Sequence, residues 1–283
     1  MVGGKQKDVH VAGTPMSDAQ VGGTATTKRV YLFEEGNKDM RMLLGGKGAN
    51  LCEMTSLGLP VPPGFVISTK CCKEFFNCGK KNMPPGLREE YDEAMRHIEA
   101  KMGKKFGDRD DPLLVSVRSG APASMPGMMD TVLNLGLSDA AVKSLSNRSG
   151  NPRWALDVQR RFIQMFSNVV MGVNGDVFEE ALSEVKREAG VRLDIELTAD
   201  NLKEVVSRFK AINPNIPEDP ARQLEMAVMS VFSSWFNPRA IRYRSYNNIP
   251  NDWGTAVNVQ VMVFGNVNNN SGTGGKTCSL GSS

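Results

Sequence analysis

The sequence predicts an α+β protein whose strands bracket a long helical stretch, and three observations carry that prediction. Two β-rich apolar runs, Leu113-Leu114-Val115-Ser116-Val117 and Thr131-Val132-Leu133, flank a loop of small residues. Residues 138–147, 152–171, 176–189, 198–212 and 219–236 each read as helix, separated by Gly, Pro and Asn. Residues 253–264, WGTAVNVQVMVF, then alternate: Val257, Val259, Val261 and Val263 fall on one face, Asn258, Gln260 and Met262 on the other.

Composition narrows the function classes. The chain of 283 residues is 40% hydrophobic and 23% charged, which describes a globular protein with a sizeable core. With 34 basic against 31 acidic residues the net charge is +3, and no basic block provides the concentrated positive face that nucleic acid requires. No apolar run reaches the roughly 20 residues of a membrane span. The five cysteines show no CxxC spacing and read as reduced packing thiols, and His10 and His97 are the only histidines, so no metal site is expected.

Taken in order, residues 1–28 are rich in Gly, Thr and Ala, lack arginine and aromatics, and read as a disordered leader without a targeting pattern. Order begins with a short strand at Arg29-Val30-Tyr31-Leu32-Phe33. A glycine turn at Gly45-Gly46-Lys47-Gly48 precedes a helix over residues 49–57. Residues 60–68 read as a turn and a buried strand, with Ser68 or Thr69 capping a helix to about Cys78. Leu87, Tyr91, Ala94, Met95, Ile98 and Met102 form one face of a further helix, with His97 on its charged, solvated side. Thr198 caps a helix whose stripe is Leu202, Val205, Val206 and Phe209.

Residues 115–135, VSVRSGAPASMPGMMDTVLNL, hold the chemistry. Arg118 leaves a strand beside Ser119, Gly120 and Ala121, and a loop with Gly127, Met129 and Asp130 follows. A guanidinium fork on a rigid strand, next to residues small enough for backbone approach, suits a polyanion. The same residues also fit a surface loop with a salt-bridged arginine. The GGKG turn combines exposed backbone N–H groups with a lysine and suits an anion, or is simply a glycine turn with an exposed lysine. In QRRFIQMF, Arg160 and Arg161 flank an apolar stripe that at least one of them must face away from. Gly275-Lys276-Thr277 has the ending of a P-loop, but Asn270 stands where that motif needs glycine and six residues follow Thr277.

Four long blocks are similar to the N-terminal part of the pyruvate, phosphate dikinase family. They are EEGNKDMRMLLGGKGANLCEMTSLGLPVPPGF (34–65), KKFGDRDDPLLVSVRSGAPASMPGMMDTVLNLGL (104–137), NPRWALDVQRRFIQMFSNVVMG (151–172) and DWGTAVNVQVMVFGNVNNNSGTG (252–274). The related phosphoenolpyruvate synthases resemble the chain in GGKG and VRS but depart at SMPGMMDT. The resemblance implies an ATP-grasp-like nucleotide-binding domain with a helical insertion and a truncated second lobe. It divides the chain into a leader (1–28), an α/β ATP-binding lobe (29–135), a helical subdomain (136–248), the start of a second lobe (249–275) and a divergent tail (276–283).

The resemblance also implies roles. Lys47 and Arg118 would bind ATP phosphates, and Arg161 would join them near the transferred group. The loop with Gly127, Met129 and Asp130 would close from one side and Gly272, Thr273 and Gly274 from the other. Gln260, Met262 and Val263 would line the adenine end. In the family ATP and phosphate phosphorylate a histidine on a separate domain of a homodimeric phosphotransferase, which passes the group to pyruvate with Mg2+ as cofactor. Neither His10 nor His97 stands in the family's Thr-Ser-His-Ala setting, and the metal ligands would lie beyond Ser283. The expectation is an ATP-binding fragment unable to complete the cycle alone. The alternatives are a regulatory module that pairs with full-length subunits, or a phosphoenolpyruvate synthase-like fragment. The expected compartment is the cytoplasm, with a plastid or other organelle as the alternative.

Overall fold

The computed structural model describes residues 28–79 and 82–267. The leader up to residue 27, the expected phosphate-covering residues Gly272, Thr273 and Gly274, the tail, His10 and Cys278 lie outside the described residues. The strands are β1 (Val30–Leu32), β2 (Gly64–Ile67), β3 (Lys105–Phe106), β4 (Pro112–Leu113), β5 (Val115–Gly120), β6 (Thr131–Leu135) and β7 (Ala256–Val261). Strands β3 and β4 make a small parallel pair. The other five form an antiparallel sheet in the order β1-β2-β7-β5-β6.

The valine alternation of β7 explains its central place. Val257, Val259 and Val261 share a face with Val115 and Val117 of β5 and Phe65 and Ile67 of β2, and all are buried in the main core. The opposite face carries Ser116, Arg118, Asn258 and Gln260 beside Val66 and Ala256. A strand apolar on one face and buried on both needs neighbours on each side, and β7 has β2 and β5. The stretch expected to open a second lobe therefore supplies the middle strand of the sheet that β1, β2, β5 and β6 also form.

The helices are α1 (Arg41–Ser56), α2 (Thr69–Asn77), α3 (Leu87–Met102), α4 (Asp139–Ser149), α5 (Pro152–Met165), α6 (Asp176–Glu188), α7 (Ala199–Ile212), α8 (Pro220–Ser234) and α9 (Pro238–Tyr246). Their starts follow local chemistry. Ser138, Asn151, Thr198 and Asp219 each accept a backbone N–H at an N-cap, and Pro occupies the first turn of α5 and α8. Ser68 precedes α2 as expected, yet its hydroxyl makes no cap and lies 3.7 Å from Cys71 Sγ. His97 is exposed on α3, whose buried residues include Leu87, Tyr91, Ala94, Met95 and Ile98.

The helical region leaves the sheet after β6 and returns to it through β7. The Gln223 amide of α8 ties the two parts together: Oε1 accepts from Gly136 N at 2.9 Å, and Nε2 donates to Leu137 O at 3.0 Å and Pro217 O at 2.8 Å. Sheet and helices share one continuous core, from Phe65 and Val259 through Phe162, Phe209 and Phe232. Among the described residues no helix is long and apolar enough to cross a membrane. Burial pushes the thiols of Cys52 and Cys72 up to about 11 and that of Cys71 to about 12, as suits packing residues.

Candidate functional site

The polar face of the sheet is covered by α1, and glycines set how close the two come. At Gly45 the backbone is kinked, with φ 70° and ψ 165°, and a Cβ there would lie 1.7 Å from the Gly120 carbonyl oxygen. A Cβ on Gly48 would meet Asn258 Oδ1 at 2.9 Å, and one on Gly120 would meet Asn258 Nδ2 at 2.4 Å. The GGKG glycines therefore serve close packing of helix on strand. The Gly46 N–H, expected to face an anion, donates to Ala121 O at 2.9 Å.

This contact delivers Lys47 to the end of β5. Its ammonium donates to Ser119 O at 2.8 Å, and Arg41 Nε, at the start of α1, donates to Pro122 O at 2.7 Å. Burial, and then the charge of Arg118, push Lys47 down to about 8. No carboxylate pairs with Lys47 or Arg118 among the described residues. Arg118 Nε is buried without a hydrogen-bond partner, and so is Oδ1 of Asn258, the residue opposite it in the β5–β7 register. The Asn258 amide instead donates to Arg118 O at 3.4 Å. Two cations without a carboxylate partner among the described residues, one with a buried nitrogen that finds no acceptor, have the chemistry that suits an anion with several oxygens.

The other residues marked by the sequence lie at different distances from this arrangement. The loop over residues 121–130 directly follows β5, whose last residue, Gly120, lies two after Arg118. Gly127 takes φ 71° at its open tip, and Met125 is buried at its base, accepting the Met128 N–H on its carbonyl at 3.2 Å. Asp130 is occupied: its Oδ1 accepts from Arg239 Nη2 at 2.6 Å, and burial raises its carboxyl while Arg239 opposes the rise. Gln260 shares the polar face and lies opposite Ser116, with its amide donating to Pro62 O at 3.1 Å. Met262 is half-buried beyond the strand end and donates its N–H to Leu114 O at 2.9 Å, and Val263 is exposed.

The two neighbouring arginines of α5 divide. Arg160 is the buried one, held by Asp157 at 2.8 Å and Asp194 at 2.8 Å. Arg161 is exposed and ion-pairs with Asp157 at 2.9 Å, and no contact among the described residues joins it to Lys47 or Arg118. Two residues went unmarked in the sequence. Asn258 had a legible signal, a polar residue at an inward position of a central strand. Arg239 had none, because its partner Asp130 is 109 residues away.

Comparison with known proteins follows the same residues. A family model described as the AMP/ATP-binding domain of pyruvate phosphate dikinase matches residues 41–92 and 78–279. The pyruvate, phosphate dikinase of Clostridium symbiosum is 56% identical over 253 residues, covering 87% of this chain and 29% of that protein. The chloroplastic pyruvate, phosphate dikinase of Flaveria pringlei is 55% identical over 260 residues, covering 89% of this chain and 27% of that one. The Rhizobium meliloti (strain 1021) protein of the same name is 53% identical over 256 residues, covering 87% and 28%. The chain thus spans less than a third of the length of these relatives. By the family match and the length of these alignments, the chain belongs to the pyruvate phosphate dikinase AMP/ATP-binding domain family.

Proposed function

We propose that the chain is the ATP-binding part of a pyruvate, phosphate dikinase and that Lys47 and Arg118 receive the nucleotide's phosphates. The observation that carries this reading is the Arg118 guanidinium, which has a buried Nε without a partner and a lysine rather than a carboxylate beside it. Phosphoryl transfer asks a protein mainly for positioning and charge neutralisation. Arg118 offers its fork on a rigid strand, and Lys47 adds a point charge while its bond to Ser119 O fixes its direction. Gly127, Met129 and Asp130 shape the loop side. Gln260, two residues beyond Asn258 on the same face, leads with Met262 and Val263 toward the adenine end in an ATP-grasp-like arrangement.

In the complete reaction ATP, phosphate and pyruvate give AMP, diphosphate and phosphoenolpyruvate through a phosphohistidine. His97 is exposed on α3 and neither histidine of the sequence stands in a Thr-Ser-His-Ala setting, so the phosphoryl acceptor belongs to a separate domain and this chain does not complete the cycle alone. Arg161, exposed and paired with Asp157, is placed near the transferred group by the family resemblance alone. The groups around Lys47 and Arg118 are cations and amides, a donor set unsuited to holding Mg2+, and among the described residues no three of His, Cys, Asp and Glu converge. The cytoplasm or a plastid suits this reading, the Flaveria relative being chloroplastic by name.

Calorimetric titration with MgATP tests the assignment. Arg118→Ala should weaken binding about tenfold or more, the worth of one charge-assisted contact. Lys101→Ala, on the exposed end of α3 where Lys101 pairs with Glu34, should leave it unchanged. Equal effects would remove Arg118 from the site.

A further inference from the structure

The loop over residues 121–130 is held from outside its own strands. Its tip is open: Ser124, Pro126 and Gly127 are exposed, and a Cβ on Gly127 would meet nothing within 4 Å. Beyond the tip, one side chain grips two points. Arg239 Nε donates to Met128 O at 3.2 Å while its Nη2 donates to Asp130 Oδ1 at 2.6 Å. We propose that Arg239 is a positioning residue, which fixes this loop in its place beside Arg118 and so prepares it to receive the phosphates. The inference rests on the reading that the loop faces ATP.

The base beneath Arg239 is rigid, which a positioning role requires. Arg239 sits in the first turn of α9, and Arg244 of the same helix is buried against Trp235, its guanidinium 3.9 Å from the ring centre. Arg244 Nη1 donates to Trp235 O at 2.6 Å and Nε to Asn251 Oδ1 at 2.9 Å, while Trp235 Nε1 donates to Asn251 O at 3.0 Å. This closed set of contacts fixes α9 without using any part of the loop. Exposed ion pairs generally contribute little, but here one partner is enclosed: the Asp130 side chain is 15% exposed against 55% for Arg239. Removing Arg239 would leave a largely buried carboxylate and the Met128 carbonyl without their donor, and the loop would gain freedom that a bound nucleotide must then remove.

Two readouts separate the tether from its consequence. Hydrogen exchange over residues 121–130 in the nucleotide-free chain reads the tether, and MgATP titration reads positioning. Arg239→Ala should speed exchange in the loop about tenfold and weaken MgATP about tenfold, with exchange in α3 unchanged. Arg239→Lys, which keeps the charge but not the fork, should recover part of both. Arg239→Ala combined with Asp130→Asn should be no worse for exchange than either alone. Unchanged loop exchange in Arg239→Ala would overturn the tether, and faster exchange with unchanged MgATP affinity would overturn the positioning role. A wild-type chain that binds no MgATP would refute the nucleotide reading and positioning with it, while the exchange result would still decide whether the tether exists.

Discussion

Arg160 in the helical region is buried and Arg118 on the sheet is half-buried with its Nε enclosed, and their surroundings treat the charge in opposite ways. The Arg160 side chain is 5% exposed and lies between Asp157 and Asp194, each at 2.8 Å. Lys186 and Arg161 close the same network from its rim, so cations and carboxylates alternate. Arg118 has a lysine for a neighbour and a buried nitrogen without an acceptor. A folded chain tolerates a buried cation when partners within it balance the charge, or when a ligand will. Arg160 therefore reads as structural, and Arg118 as the arginine left for a ligand, although in the sequence each is an arginine beside apolar residues.

The comparison can be broken at several strengths. The largest effect should come from Gly45→Ala, which places a Cβ in a backbone region open essentially to glycine and against the Gly120 carbonyl. The cost should be about 4 kcal/mol, summing strain and overpacking, and MgATP binding should fall with it because α1 carries Lys47. Chemical denaturation checks the first and titration the second. Next comes Arg160→Ala, which should lower stability by about 2 kcal/mol and leave MgATP affinity of the folded protein unchanged. That figure lies below the roughly 3–5 kcal/mol usual for breaking a buried ion pair, because Asp157 keeps Arg161 and Asp194 keeps Lys186. A loss of nucleotide affinity without a loss of stability would reverse the roles assigned to the two arginines.

A smaller effect follows from Lys47, which releases its proton near pH 8 in the free protein instead of near 10.5. Between those values the unfolded chain binds more protons than the folded one, so this group makes stability rise with pH across that window. Phosphate binding runs the other way, since it needs the ammonium. MgATP affinity should fall about tenfold from pH 7 to pH 9 as the free lysine loses its proton. Lys47→Arg should flatten that dependence, and a flat profile in the wild type would remove Lys47 from the phosphates.

Much of the fold was legible because it is local. The apolar spacing of α3, the Thr198 cap of α7 and the valine alternation of β7 each lie within a few residues of sequence, and the structure carries each of them. The place of β7 was not legible. Its partners β2 and β5 are far away in the chain, and an alternating strand reads the same at the centre of one sheet as at the start of another. Helix α9 escaped because it buries only Ala240 and Arg244, too few for an apolar stripe. At the site, the sequence could mark Lys47 and Arg118 by residue type and small neighbours, but the Arg239 grip on Asp130 and the orphaned Asn258 oxygen depend on chain segments that meet only in the fold. Arg160 and Arg161 differ by one step around a helix, and only packing decides which is buried.

Thermal unfolding of the wild-type chain and of Arg118→Ala, each with and without saturating MgATP, addresses the central claim most directly. A ligand that binds only the folded state adds about 2.7 kcal/mol at a hundredfold excess over its Kd. The wild type should unfold several degrees higher with MgATP, while Arg118→Ala should keep its ligand-free transition and lose most of the upward shift. Equal shifts in the two proteins, or no shift in the wild type, would contradict the assignment of Arg118 to the nucleotide.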